Sequence, residues 1–384
     1  YDLLIIAAVR SNSIREFHDN SIGILSNSAH QQLFRVLEKA GPYYDRFVWR
    51  HSEKSVGDQI KNLKKYESKA NDMFRVFRRF LNSTWPDAIP FDVSVFPIPA
   101  RSGNTSATPH ANSLCVAILT GGQDPAGTMG VTMHEICHVL YDEQPAEFQY
   151  RLDAFFKNSK SPYSAIAYSF FDEAIATALG NGYAYKHFSG KEDTASWYNN
   201  SYIDGFAHAV YPLVEEYLDN GKTIDSIFVD RAIELFGKTY PRSVEDYSVL
   251  MNNMYLYADG EGSEERLKLR GVIGRYFSTS RYNFSSPVLH EYSIDYLKKT
   301  KGTQLIVVDR NQDSTINELK KTLPELDALL KDQRSPNYVV SFYDHTKRPV
   351  ILVRAESEIF VEKAFRMLKE KQYLDSKEPV LIIK

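Results

Sequence analysis

The chain has only two cysteines, Cys115 and Cys137, among its 384 residues. That excludes a disulfide scaffold; one bridge between them and two free thiols are both open. Long apolar runs are missing too. The longest clean one, Leu3 to Val9, falls far short of the roughly 20 residues that cross a bilayer, so no membrane span is expected and the chain reads as soluble. Charge of one sign is also scarce: 46 Lys+Arg against 49 Asp+Glu leave a net charge of −3. This excludes a bulk electrostatic grip on nucleic acid or an anionic surface, while leaving room for a local patch. Repeats and low-complexity tracts are absent. With 43% hydrophobic and 25% charged residues, neither disorder nor a fibre is the expected main state. The first residue is Tyr1 rather than Met, which reads as a mature or trimmed form. With so few cysteines it points to a secreted or periplasmic protein. Nothing in the sequence fixes an oligomeric state.

What is abundant is Tyr and Phe, 25 and 22 residues, enough for a large aromatic core or an extended groove. The first ninety residues carry apolar positions three and four apart and read as helices, Ile14 to Ala40 and Ile60 to Leu81. Phe91 to Ile98 alternates like a half-buried strand, Arg101 to His110 has loop composition, and Asn112 to Thr120 reads as a second strand. Asp124-Pro125 supplies an N-cap and a first-turn proline for a helix that runs to Glu143. Further helices are expected at Pro145 to Asn158, Tyr163 to Leu179, Asn200 to Asp219 and Thr223 to Phe236, with more helix to about Tyr276 and a polar connector over Thr279 to Pro287. The last eighty residues follow the order β-α-β-β-α-β, that of a ferredoxin-like split unit. The expected domains are 1–90, helical; 91–290; and 291–384, a βαββαβ unit.

Chemistry concentrates in His134-Glu135-Ile136-Cys137-His138. Residues four apart lie about 40° from each other round a helix, so His134 and His138 reach one metal from consecutive turns. Glu135 stands beside them as a base for a bound water. Two imidazoles and a carboxylate suit zinc and leave one position for water, whose pKa the metal brings to about 7. The other reading of the two histidines is a packed helix face. Cys137 lies off the line joining them and reads as a small buried residue.

A third ligand is sought in Phe171-Asp172-Glu173-Ala174-Ile175-Ala176, on a later helix. An H-E-x-x-H followed by a helical Glu-Ala-x-Ala resembles the gluzincins, the thermolysin-like zinc metallopeptidases, over roughly residues 91 to 240. The resemblance implies an α+β fold: a mainly helical metallopeptidase domain with a small sheet, here followed by the βαββαβ unit. It implies Zn2+ held by His134, His138 and Glu173, and Glu135 as general base, with Asp172 the competitor for third ligand. The small Ala174, Ala176 and Ala178 suit close helix packing. A metzincin is excluded, because positions 141 and 144 are Tyr and Gln. For the donor to the developing oxyanion the resemblance offers Tyr202, in Tyr202-Ile203-Asp204-Gly205, with His208 and Tyr211 as alternatives. It also implies an edge strand before the metal helix that binds extended substrate; Asn112 to Thr120 is in that place, and reads equally well as a buried central strand. No Gly-Ala-Met-Glu-Asn exopeptidase signature precedes the helix, so the expected activity is that of an endopeptidase on a peptide or protein substrate. A binding or scaffolding protein on the same frame is the second reading. No aromatic RNA-reading motif is present, and nucleic acid is not an expected partner.

Overall fold

The computed structural model describes every residue except 1, 102, 104, 260–262 and 301. It divides into two units, Tyr1–Thr239 and Tyr240–Lys384, where the sequence suggests breaks near 90 and 290.

In the first unit the helices Asn27–Tyr44, Arg50–Lys64 and Glu67–Phe80 precede a three-stranded sheet. Glu67–Phe80 buries Met73, Phe77 and Phe80, a single stripe at helical spacing. The strands are β1 (Asp92–Ile98), β2 (Ala107–His110) and β3 (Ser113–Leu119), in the order β1-β3-β2. β3 pairs with β1 in parallel and with β2 antiparallel. It is therefore central, and the edge-strand expectation for 112–120 is corrected. Its run Leu114 to Leu119 is apolar on both faces, as a strand with two neighbours requires. β2, read from the sequence as loop, is the free edge of the hairpin.

The helix Pro125–Asp142, called here the metal helix, begins where the Asp124 carboxylate accepts the Ala126 N–H at 3.0 Å and Pro125 fills the first turn. The helix Ser164–Thr177 runs on into a π-helical turn, Ala178–Ala184. The helix Ser201–Asp219 is capped by Asn200, whose side chain accepts the N–H of Tyr202 and Ile203.

The second unit is built on a six-stranded sheet. Its strands are β4 (Asn253–Ala258), β5 (Arg281–Ser285), β6 (Thr303–Val308), β7 (Tyr338–Tyr343), β8 (Pro349–Arg354) and β9 (Val380–Ile382), in the order β5-β4-β6-β8-β7-β9. Its last four strands are those expected of the βαββαβ unit, and β6, β8 and β7 lie side by side as in a ferredoxin-like sheet. The last strand does not. A ferredoxin-like unit would seat β9 beside β6, but β4 holds that edge in parallel, and β9 pairs antiparallel with β7 instead. β4 and β5 overturn two expectations, a helix over 253–258 and a connector over 281–285. Asn253–Ala258 is too short an apolar run for its period to separate strand from helix. Arg281–Ser285 shows the alternate burial of an edge strand, with Tyr282 and Phe284 turned to the core. Among the described residues no helix is long and apolar enough to cross a membrane.

One buried ion pair closes the β7–β8 turn. The Asp344 carboxylate accepts from Thr346 and from the Arg348 backbone and guanidinium at 2.6–2.9 Å. Arg348 also donates to the carbonyls of Leu297 and Thr300, both at 2.7 Å. Burial alone would raise the Asp344 carboxyl, but these donors hold it below its ordinary value. A depressed folded pKa gives stability that is complete above the unfolded value, about 3.9, and lost as pH falls. Asp344→Asn is expected to destabilise this unit by about 3 kcal/mol at pH 7, because it leaves Arg348 buried without its charge partner. In denaturant titrations the gap from wild type should narrow below about pH 4.

Candidate metal centre

Two consecutive turns of the metal helix bring His134 Nε2 and His138 Nε2 to 3.1 Å from each other. Glu173, from the Ser164–Thr177 helix, places Oε2 3.7 Å from the first and 3.5 Å from the second. His134 is buried, and His138 and Glu173 are half-buried. Two atoms each about 2.05 Å from a tetrahedral metal ion stand about 3.3 Å apart, so these spacings fit what a bound ion would require. Glu173 Oε2 is itself buried without a hydrogen-bond partner. An orphaned carboxylate oxygen facing two imidazole nitrogens is costly unless something positive lies between them. The three side chains form a group that could hold a metal ion.

Asp172 is not the third ligand. Its Oδ1 sits 3.2 Å from His138 Nδ1, on the far side of the ring from the cluster. With Nε2 turned inward, Nδ1–H donates to Asp172, which fixes the ring's orientation and raises its basicity. Burial works against a charged His138, but Asp172 and Glu173 together push it up to about 10. Burial would likewise raise Glu173, yet the facing imidazoles hold it well below the usual carboxylate range.

Glu135 shares the wall of one cleft with His134. The cleft has a volume of about 1040 Å³ and is also lined by Thr105, Ser106 and Ala107 at the β2 edge and by Tyr185, Trp197 and Tyr198. Desolvation raises the Glu135 carboxyl, with the two histidines lowering it and Glu173 and Asp172 raising it.

The expected oxyanion donors lie elsewhere. Tyr202 stacks on Phe170 at 5.8 Å, and it is not among the residues that line the cleft. His208 stacks on Trp197 at 3.7 Å with Nε2 3.7 Å from Asp204. The buried Tyr211 donates to Glu215 at 2.6 Å. The tyrosine at the cluster is Tyr198, whose ring stacks over His134 at 6.1 Å. Burial, then the charge of Glu173 and a hydrogen bond to it, push its phenol well above the ordinary value. Tyr198 is held from behind. Asp204 accepts the backbone N–H of Trp197 and Tyr198 at 2.6 and 3.1 Å, and Trp197 packs on both His208 and Tyr211 of the Ser201–Asp219 helix. His208 is thus two contacts removed from the cluster.

Cys115 and Cys137 are free thiols, which answers the question of a bridge between them. Cys137 is buried in the metal helix, and burial raises its thiol far from the thiolate that a metal would need.

The crossing that brings the parts together depends on glycine. The π-helical turn passes the metal helix at Gly180, where an added Cβ would lie 2.5 Å from His134 N and 2.6 Å from Gly130 O. Ala174, Ala176 and Ala178 are buried alongside. A comparison of the chain with family models, with curated proteins and with solved structures finds no match.

Proposed function

We propose that the chain is a zinc-dependent peptidase, acting as an endopeptidase on extended polypeptide. The observation that supports this reading is the convergence of His134, His138 and Glu173 at ligand spacing, with Glu135 beside His134 in the wall of the cleft. Two imidazoles and a carboxylate are a zinc donor set with room for water. A zinc ion held by these three residues would supply a Lewis acid and a water of lowered pKa.

The chain's own residues do the rest. Glu135 takes a proton from the attacking water and passes it to the leaving amine. Tyr198, stacked over His134, donates its O–H to the carbonyl oxygen as that oxygen gains charge, the role that the resemblance offered to Tyr202. Asp172 keeps His138 in register, and Asp204 keeps Tyr198 there. The β2 edge offers backbone groups to an extended segment, a mode that reads main chain and tolerates many side chains.

Metal content is the test. Protein purified without chelator should carry one zinc per chain, and Glu173→Ala should bind it at least about tenfold more weakly. Wild-type protein that takes up no metal even when zinc is restored would remove the reading. Zinc bound with no cleavage of any peptide in a mixed library would favour a binding protein on this frame.

A further inference from the structure

The first unit carries a bare stretch of helix. Asn27–Tyr44, the π-helical turn Asp45–Trp49 and Arg50–Lys64 follow one another without a break and form one rod about 55 Å long. The rod is held towards its two ends. On one side, His30 and Phe34 are buried against Phe17 and His18 of the helix Ile14–Asn20. On the other, Ser52 and Val56 are buried, and Ser55 and Gln59 donate to the carbonyls of Thr120 and Gln123 at 3.2 and 3.1 Å. Between these anchors, from Arg35 to His51, every residue is described and none is buried. A Cβ added at Gly41 would meet nothing within 4 Å.

The bare stretch is not polar. Val36, Tyr43, Tyr44 and Phe47 are 62%, 68%, 47% and 61% exposed. Steps of three and four residues put them on one face, with Ala40 among them. Single exposed apolar residues are ordinary, but a group this close together on one helix face marks an interaction site. The rim of the stripe is basic. Lys39 stands three residues from Val36 and four from Tyr43, and Arg46 three from Tyr43, so both border it. Arg35 lies four residues before Lys39 on the same side. The acids are placed elsewhere. Glu38 points about 160° away from Ala40, and Asp45 is taken up by Arg50 at 2.8 Å. Among the described residues no carboxylate pairs with Arg35, Lys39 or Arg46, and the Arg46 guanidinium lies over the Phe47 ring at 5.2 Å.

An apolar stripe with a positive rim and acids turned away is the pattern of a helix that lies in the interface of an anionic bilayer. Tyrosine rings suit headgroup depth, and long basic side chains reach past them to the lipid charges. A second copy of the chain would bring the same basic rim and no carboxylate to meet it.

We propose that the stripe from Val36 to Phe47 docks on an anionic membrane surface, with Tyr43, Tyr44 and Phe47 in the headgroup layer and Arg35, Lys39 and Arg46 on the lipid charges. The inference concerns this helix alone and stands whether or not the metal centre is that of a peptidase. Each basic side chain near such a surface strengthens binding about fivefold, so the rim predicts at least a tenfold preference for anionic over neutral lipid. Sedimentation of the full chain with phosphatidylcholine vesicles, with and without roughly one third phosphatidylserine, tests it. Binding to the anionic vesicles should weaken at least tenfold between about 0.1 and 1 M salt, as the screening length falls from about 10 to 3 Å. Lys39→Glu should weaken it at least tenfold, and so should the double variant Tyr43→Ser, Phe47→Ser. Tyr150→Ser, at an equally exposed tyrosine on the helix Ala146–Asn158, should bind as wild type. All these are surface positions, and unchanged melting of the vesicle-free variants separates lost binding from lost folding. No binding to the anionic vesicles, equal binding to the neutral ones, or wild-type binding by Lys39→Glu or by the double variant would each overturn the proposal. So would a wild-type dimer that the double variant turns into a monomer, since a second copy would then cover the stripe.

Discussion

Replacing Glu135 by glutamine should leave the metal in place and remove peptide hydrolysis. Glu135 borders the cleft without belonging to the ligand set of His134, His138 and Glu173. The substitution keeps the shape of the side chain and costs the fold little. Gln differs in one respect that matters, since an amide has no proton affinity near neutral pH. General acid–base catalysis contributes about 10²–10⁴-fold, and on the proposed reading Glu135 serves both the attack and the departure of the amine. A fall of about 10³-fold or more is therefore expected, with one zinc per chain and an unchanged melting temperature. Parallel measurement of bound metal and of cleavage of a mixed peptide library checks it. Hydrolysis retained in the variant would show that the base is another group. Loss of metal together with activity would instead place Glu135 among the ligands.

The parts of the site that the sequence discloses are those set by a single helix. His134, Glu135 and His138 follow from a spacing of four and a clear N-terminus at Asp124-Pro125. The choice between Asp172 and Glu173 depends on which of two neighbours, about 100° apart round the helix, faces the metal helix. Buried alanines point to Glu173, but only packing shows that Asp172 faces the back of His138. Tyr198 lies in an irregular stretch where periodicity is silent. The one available signal is the pair Trp197-Tyr198, two large aromatics in a polar segment, which must pack on something nearby. Tyr202 is the more regular candidate, and its place in the first turn of a helix commits its ring to Phe170. The same limit governs the fold. β6, β7, β8 and their helices are legible because each carries a long or strongly patterned segment. The position of β9 is not, because it depends on β4, a strand some 120 residues earlier in the chain that occupies the edge beside β6.

Gly180→Ala should damage the metal centre from outside it. The added Cβ would lie 2.5 Å from His134 N, 2.6 Å from His134 Cα and 2.6 Å from Gly130 O. All three are backbone atoms of the metal helix, so no side chain can swing aside, and either the helix or the π-helical turn has to move. Overpacking of this kind costs about 1–3 kcal/mol where side chains can yield, and the backbone contact puts the expected loss at or above the upper end. The displacement acts on His134 itself. Ligand atoms now 3.1–3.7 Å apart would be spread by several tenths of an ångström or more, and zinc affinity should fall at least about tenfold. Gly57→Ala is the control. Gly57 lies inside the helix Arg50–Lys64 with nothing within 4 Å of its added Cβ. There alanine should stabilise by about 0.5–1 kcal/mol through helix propensity. Melting curves and competition with a zinc chelator read both quantities. A Gly180→Ala protein that keeps wild-type zinc affinity while losing stability would mean that the ligand set tolerates a shift of its helix, and that the close crossing at Gly180 serves packing alone.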